Sequence, residues 1–130
     1  MLVKNDKEWC WCLGEHVGYP QKSIEDAVKE FKEFNKEHQF VEPRLVRVGN
    51  PYYYVPTVDA DRVIEDIVEY DLDDEIAEYS DEYLLSVKQE HIDELQGSLT
   101  KVFREWEARH GYQNAAFTIL ETVSPFKNKE

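Results

Sequence analysis

The chain has few cysteines and no long apolar run. Cys10 and Cys12 are the only cysteines among 130 residues, and two thiols this close in sequence cannot join distant parts of a fold. No apolar stretch approaches the roughly 20 residues that a bilayer-spanning helix needs. The first residues also lack the apolar core and the small-residue cleavage site of a secretory signal. These absences exclude a disulfide scaffold, and we expect a cytoplasmic protein without a membrane span.

Motifs of common enzyme classes are missing as well. The chain contains no G-x-S-x-G, no glycine-rich phosphate loop and no H-E-x-x-H. Cys10, Cys12 and the nearby His16 are donor types for a soft metal, but no second cysteine pair completes a tetrahedral site. We therefore expect buried strand cysteines. The sequence predicts no catalytic residue, no metal site, no cofactor and no enzymatic activity.

Basic residues are scarce in one stretch, residues 59–94, which carries all of the net charge. It holds 15 acidic residues against Arg62 and Lys88, and this balance equals the formal charge of the whole chain, −13. Negative charge concentrated in one stretch produces a local electrostatic field that repels nucleic acid and anionic membranes and attracts basic proteins and cations. We expect a basic protein partner, no direct binding of nucleic acid and no membrane association.

The acidic stretch is expected to be folded. The chain is 42% hydrophobic and 13% aromatic, which is too apolar for a disordered acidic protein. A length of 130 residues suits one ordinary domain. Because no internal repeat or low-complexity linker divides the chain, we predict a single domain over residues 1–130.

Periodicity in the first half of the chain predicts a strand, a helix and a hairpin. Alternating side chains favour a strand over residues 8–13. Ser23 is suited to cap a helix over residues 24–37, whose apolar residues have helical spacing. After Pro43, two β-prone runs at residues 44–48 and 52–56 flank the turn signal Gly-Asn-Pro, which predicts a hairpin.

The second half predicts three helices and a final strand. Asp59 or Asp61 can cap a helix to about Tyr70, and Asp71 or Asp73 can cap another, with an apolar side formed by Ile76, Ala77, Tyr79 or Ser80, Tyr83, Leu84 and Val87. A capping box of Ser86 and Gln89 begins a third helix over residues 87–110, which Gly111 ends. Residues 115–120 are expected to form a final strand.

The resulting order is β-α-β-β-α-α-α-β. It predicts an α+β domain with a small, mainly antiparallel sheet and helices packed on one face.

Twelve carboxylates and one arginine lie in residues 59–82, which we call the acidic segment. A charge run is most often a solvated face that keeps a protein soluble. The alternative is a docking surface, in which carboxylates along helices imitate the phosphates of a duplex. Calcium loops starting at Asp59 or Asp71 fail, because Ile64 and Ile76 stand where the turn needs glycine. The predicted partner-binding residues are Glu65, Asp66, Glu69, Asp73, Asp74, Glu78 and Glu82.

Part of the chain resembles a known group of proteins. The runs YYYVPTVDADRVIEDI, EIAEYSDEYL, HIDELQGSLTKVFREWEARHGY and AAFTILETV are similar to small, acidic, uncharacterised proteins encoded by phages and prophages of Gram-positive bacteria. The match is best over residues 52–123 and looser at the WCWC strand. The resemblance implies the same fold and a phage origin. It implies no activity and no functional residues.

Three classes of function follow from these observations. The first is a non-enzymatic phage or prophage accessory protein that captures a basic, nucleic-acid-binding protein on its acidic helices. The second is a structural or assembly component of a phage, held by the aromatic-rich sheet, with the acidic face serving solubility alone. The third is a carboxylate-metal hydrolase, which requires tight and saturable binding of Mg²⁺ or Mn²⁺.

Overall fold

The computed structural model describes residues 1–126 and confirms the α+β class. Its elements follow the expected order with two additional short strands. The elements are β1 (Leu2–Lys4), β2 (Cys10–Leu13), β3 (His16–Val17), α1 (Ile24–His38), β4 (Arg47–Gly49), β5 (Pro51–Tyr54), α2 (Ala60–Asp66), α3 (Asp74–Ala77), α4 (Gln89–His110) and β6 (Phe117–Ile119). A 3₁₀ turn (Pro43–Leu45) precedes β4, and a π-helical turn (Ile67–Asp71) extends α2.

The strands form two antiparallel sheets rather than the single sheet expected. One sheet has the order β1-β5-β6 and the other β3-β2-β4. The predicted hairpin is wrong, because β4 pairs with β2 and β5 pairs with β1 and β6. Asn50 alone separates β4 from β5, and Pro51 has no N–H to donate to a hairpin ladder. The Asn50 side-chain amide instead donates to the Glu8 carbonyl (2.7 Å), so the chain passes directly from one sheet to the other.

Helix α1 forms as its sequence predicts and contributes Phe31 to the main core. The Ser23 hydroxyl accepts a hydrogen bond from the Asp26 N–H (3.0 Å), which satisfies a free donor of the first turn. Gln39 adopts a left-handed conformation (φ 57°) and ends the helix. The buried face of α1 carries Phe31, which packs with Trp11 of β2.

Two of the three helices predicted in the second half form with nearly the expected bounds. The Asp59 carboxylate caps α2 by accepting from the Asp61 N–H (3.0 Å). Gly111 (φ 74°) ends α4, as predicted. The capping box of Ser86 and Gln89 is wrong, however. Lys88 holds the N-cap position of α4 with no side-chain cap bond.

The predicted second acidic helix is wrong. Only the four residues of α3 are helical there, and turns follow over residues 78–86. The apolar side assigned to this helix is not buried, since Ile76 is 50%, Tyr79 77% and Tyr83 49% exposed. Carboxylates such as Glu78 and Glu82 stand four residues apart in the sequence, where like charges repel on a helix. Without a packed face to offset that repulsion, the helix does not continue.

The chain divides into two compact units. One contains Met1 with residues 55–113, and the other contains residues 2–54 together with the chain from Asn114 onward. The first unit holds α2, α3 and α4, and the second holds both sheets and α1. A compact unit is not by itself an independently folding domain, so the single domain over residues 1–130 stays a prediction. Within residues 1–126, no helix combines the length and apolar composition needed to cross a bilayer.

Candidate functional site

The structure places the seven predicted partner-binding residues along α2, α3 and the turns around them, and all seven are exposed. Glu65 and Asp66 lie on α2 and Glu69 in the π-helical turn, Asp73 precedes α3, Asp74 begins it, and Glu78 and Glu82 lie in the turns after it. Each carboxylate is therefore available to a partner.

A hollow of about 530 Å³ brings two of the seven residues together. Asp73 and Glu82 line it with Asp71, so three carboxylates border the same hollow. Its remaining walls are largely apolar and are formed by Ile67, Leu72, Ile76, Tyr79, Ser80 and Tyr83. The mixture suits a side chain with an apolar stem and a cationic end, such as lysine or arginine.

A second, smaller hollow contains the only basic residue of the acidic segment. Arg62, Glu65, Asp66 and Tyr70 line it, with a volume of about 250 Å³. The other predicted residues, Glu69, Asp74 and Glu78, line neither of these hollows. The structure thus brings together Asp73 with Glu82, and Glu65 with Asp66, rather than all seven residues.

The negative charge of the acidic segment is not neutralised within the described part of the chain. The salt bridges over residues 1–126 join Lys4 to Glu121, Lys36 to Glu33, Arg44 to Glu42, and His91 to Glu90. None of them involves residues 59–82, although that segment has a net charge of −11. Uncompensated carboxylates at this density produce a strong local field and attract cationic groups.

Large apolar side chains stand exposed among the carboxylates, and the sequence did not reveal this. Tyr70 is 78% and Tyr79 77% exposed, Leu85 beyond the segment is 71% exposed, and Ile76 and Tyr83 are about half exposed. The spacing of Ile76, Tyr79 and Tyr83 predicts a buried helical stripe, so the sequence pattern predicts the opposite for these three side chains. Exposed tyrosines among charged groups are typical of protein interaction surfaces.

The cysteine and histidine constellation is divided between the two faces of the β3-β2-β4 sheet. His16 pairs with Leu13 and packs near Phe34 on the side of Trp11, whereas Cys10 and Cys12 point to the other side. Burial raises the pKa of the Cys10 thiol to about 12 and also raises the pKa of Cys12. Both thiols are therefore protonated at neutral pH. Over residues 1–126, no group of three or more potential ligands lies close enough to hold a metal ion.

Two of the three tyrosines of β5 are held by neighbouring carboxylates, and the third, Tyr54, is 49% exposed. The Tyr52 hydroxyl donates to Glu121 (2.7 Å) and the Tyr53 hydroxyl to Glu8 (2.6 Å). Burial, with a smaller contribution from Glu8, raises the pKa of Tyr53 to about 12. The Tyr53 ring also packs near Phe117 of the adjacent strand (6.0 Å between centroids). These contacts fix Tyr52 and Tyr53 in cross-strand packing.

Comparisons of the chain with protein-family models, curated proteins and solved structures gave no match. The resemblance to phage and prophage proteins therefore stays a prediction.

Proposed function

We propose that the chain is a non-enzymatic, cytoplasmic phage or prophage accessory protein that acts by protein–protein contact. Its acidic segment captures a basic partner. One observation carries the proposal: the twelve carboxylates of residues 59–82 are all exposed, without an ion pair in the described structure, and interspersed with exposed tyrosines. A surface that serves solubility alone has no need of exposed apolar side chains.

The mixture of groups indicates the chemistry of the partner. The carboxylates provide long-range attraction and raise the rate of encounter with a basic surface. Tyr70, Tyr79 and Tyr83 provide the short-range apolar contacts that give an interface most of its binding energy. A nucleic-acid-binding protein offers the matching surface, since its lysines and arginines already bind rows of phosphates.

Charge reversal within the acidic segment tests this proposal. In a host-cell lysate at low salt, we expect the tagged chain to capture a basic nucleic-acid-binding protein that high salt releases, because screening weakens charge contacts. The variant Glu65→Lys, Glu69→Lys, Asp74→Lys and Glu78→Lys should lose at least nine-tenths of this captured protein. The measurement is mass spectrometry of the low-salt and high-salt eluates.

A matched variant separates the segment from the net charge. Asp6→Lys, Glu15→Lys, Glu37→Lys and Glu105→Lys change four exposed carboxylates outside the segment. Both variants have a net charge of −5 instead of −13. The proposal is supported if the variant reversed outside the segment still captures the partner and the variant reversed within the segment does not. Equal loss in both variants, or a partner that high salt does not release, contradicts it.

A further inference from the structure

The fold brings together two histidines that are distant in the sequence. His16 lies in β3, and His38 is the last residue of α1. Their imidazole ring centroids are 4.6 Å apart, and the two rings are inclined by 62°. Sequence spacing does not indicate this pair, because the strand and the end of the helix meet only in the folded chain.

Aromatic neighbours hold both rings in place. The His38 ring stacks on Phe34 (5.4 Å between centroids) and lies against Phe40 (4.2 Å). The His16 ring packs near the same two side chains, at 6.0 and 5.1 Å. Phe34 and Phe40 also pack near Trp11, which is buried in the core. The two imidazoles are therefore positioned by packed side chains, as a preorganised binding site requires.

The backbone is fixed on both sides of the pair as well. The Phe40 N–H donates to Asn35 Oδ1 (2.8 Å), which closes the end of α1 directly after His38. His16 stands opposite Leu13 in the antiparallel pairing of β3 with β2. Each histidine is thus attached to a regular element rather than to a free loop.

The separation of the rings suits one metal ion bound by both. A zinc or copper ion lies about 2.0–2.1 Å from an imidazole nitrogen and therefore roughly 3.2 Å from the ring centroid. Two imidazoles at adjacent positions of a tetrahedral or square-planar ion then have centroids roughly 4.5–5.2 Å apart. The distance of 4.6 Å between His16 and His38 lies within this range.

A hollow of about 530 Å³ opens beside the pair. Both imidazoles are exposed, so an ion and its water molecules can reach them. Within residues 1–126, no salt bridge involves either histidine. The carboxylates of Glu15 and Glu42 also border the hollow and favour a cation there. Its other walls are formed by Leu13, Gly14, Phe40, Val41 and Leu45.

We propose that His16 and His38 form a binding site for one divalent transition-metal ion of the zinc, nickel or copper class, which imidazole nitrogens suit. The ion joins β3 to the end of α1. Water completes its coordination, since residues 1–126 contain no group of three potential ligands. Both histidines belong to the unit that holds the sheets. The acidic segment belongs to the other unit, so this proposal does not depend on the function proposed above.

Titration of the full chain with Zn²⁺ tests the site, with the nitrogen-15 chemical shifts of the imidazoles as the readout. Excess Mg²⁺ occupies the acidic segment, because this ion prefers carboxylate oxygens. We expect the ring nitrogens of His16 and His38 to shift together and to saturate at one ion per chain, with much smaller shifts for His91 and His110. Equal shifts in all four histidines, or a shift in only one or neither of the pair, overturn the proposal. The measurement uses the unaltered chain, so it does not depend on the folding of a variant.

Removal of one imidazole tests whether both hold the ion. His16→Gln should weaken Zn²⁺ binding at least tenfold, because one histidine alone cannot chelate the ion. His91→Gln is the matched control, since His91 is another exposed histidine on a different element, α4. Isothermal titration calorimetry in excess Mg²⁺ measures the affinities, and circular dichroism checks that each variant is folded. Equal affinities of the two folded variants for Zn²⁺ contradict the proposal. Capture by the acidic segment is measured separately on His16→Gln, which leaves that segment intact.

Discussion

At the scale of single residues, Gly18 shows a close approach that sequence patterns do not reveal. From the sequence, Gly18 is expected to lie in a loop between a strand and a helix. In the structure it is buried, and a Cβ added there would overlap Trp11 Nε1 and Glu30 Oε1. Trp11 is 2% exposed, and Glu30 is held by the Tyr19 N–H (3.1 Å), so neither yields easily.

Two glycine substitutions should therefore change stability in opposite directions. Gly18→Ala should lower the free energy of unfolding by about 1–3 kcal/mol, as overpacking does elsewhere. Gly97 lies within α4, and a Cβ there would meet no atom within 4 Å. Gly97→Ala should raise the free energy of unfolding by about 1 kcal/mol, because alanine favours the helix. Urea denaturation monitored by tryptophan fluorescence measures both values. A stabilised Gly18→Ala would show that Trp11 moves to make room.

At the scale of elements, local signals predicted much of the fold. The Ser23 cap, the Gly111 stop and the helical spacing between them located α1, α2 and α4 to within a few residues. What failed depends on distant partners. Strand β1 exists because it pairs with β5, with Val3 opposite Tyr53, and no local pattern indicates a partner 50 residues away. The hairpin failed for the same reason, since its strands find better partners in separate sheets.

The two proposed helix caps give a direct test of this distinction. Ser23→Ala should lower the free energy of unfolding by about 1 kcal/mol, because the Asp26 N–H loses its acceptor. Ser86→Ala should change it by less than about 0.5 kcal/mol, since Lys88 and not Ser86 precedes α4 and surface substitutions are usually mild. Both are measured by urea denaturation. Equal losses in the two variants would mean that Ser86 caps α4 in solution.

At the scale of the whole molecule, the candidate site was only partly predictable. The concentration of charge in residues 59–82 is evident in the sequence, and the seven chosen carboxylates are exposed as expected. The exposure of Tyr79 and Tyr83 was not foreseen, because spacing alone cannot show that a helical stripe lacks a covering surface. The hollow around Asp73 and Glu82 depends on a turn that ended the expected helix early.

Charge segregation on this scale should also make stability depend on salt. The acidic segment has a net charge of −11 and no salt bridge within the described residues, so its carboxylates repel one another across the folded surface. Raising NaCl from 0.02 to 0.3 M shortens the Debye length from roughly 20 to 6 Å and should raise the urea midpoint of the wild-type chain. The midpoint of the variant reversed at Glu65, Glu69, Asp74 and Glu78 should rise much less, because its segment has a net charge of −3 instead of −11. The variant reversed at four positions outside the segment should retain most of the wild-type response. Equally reduced salt responses in the two variants, which share a net charge of −5, would show that the repulsion belongs to the net charge rather than to the acidic segment.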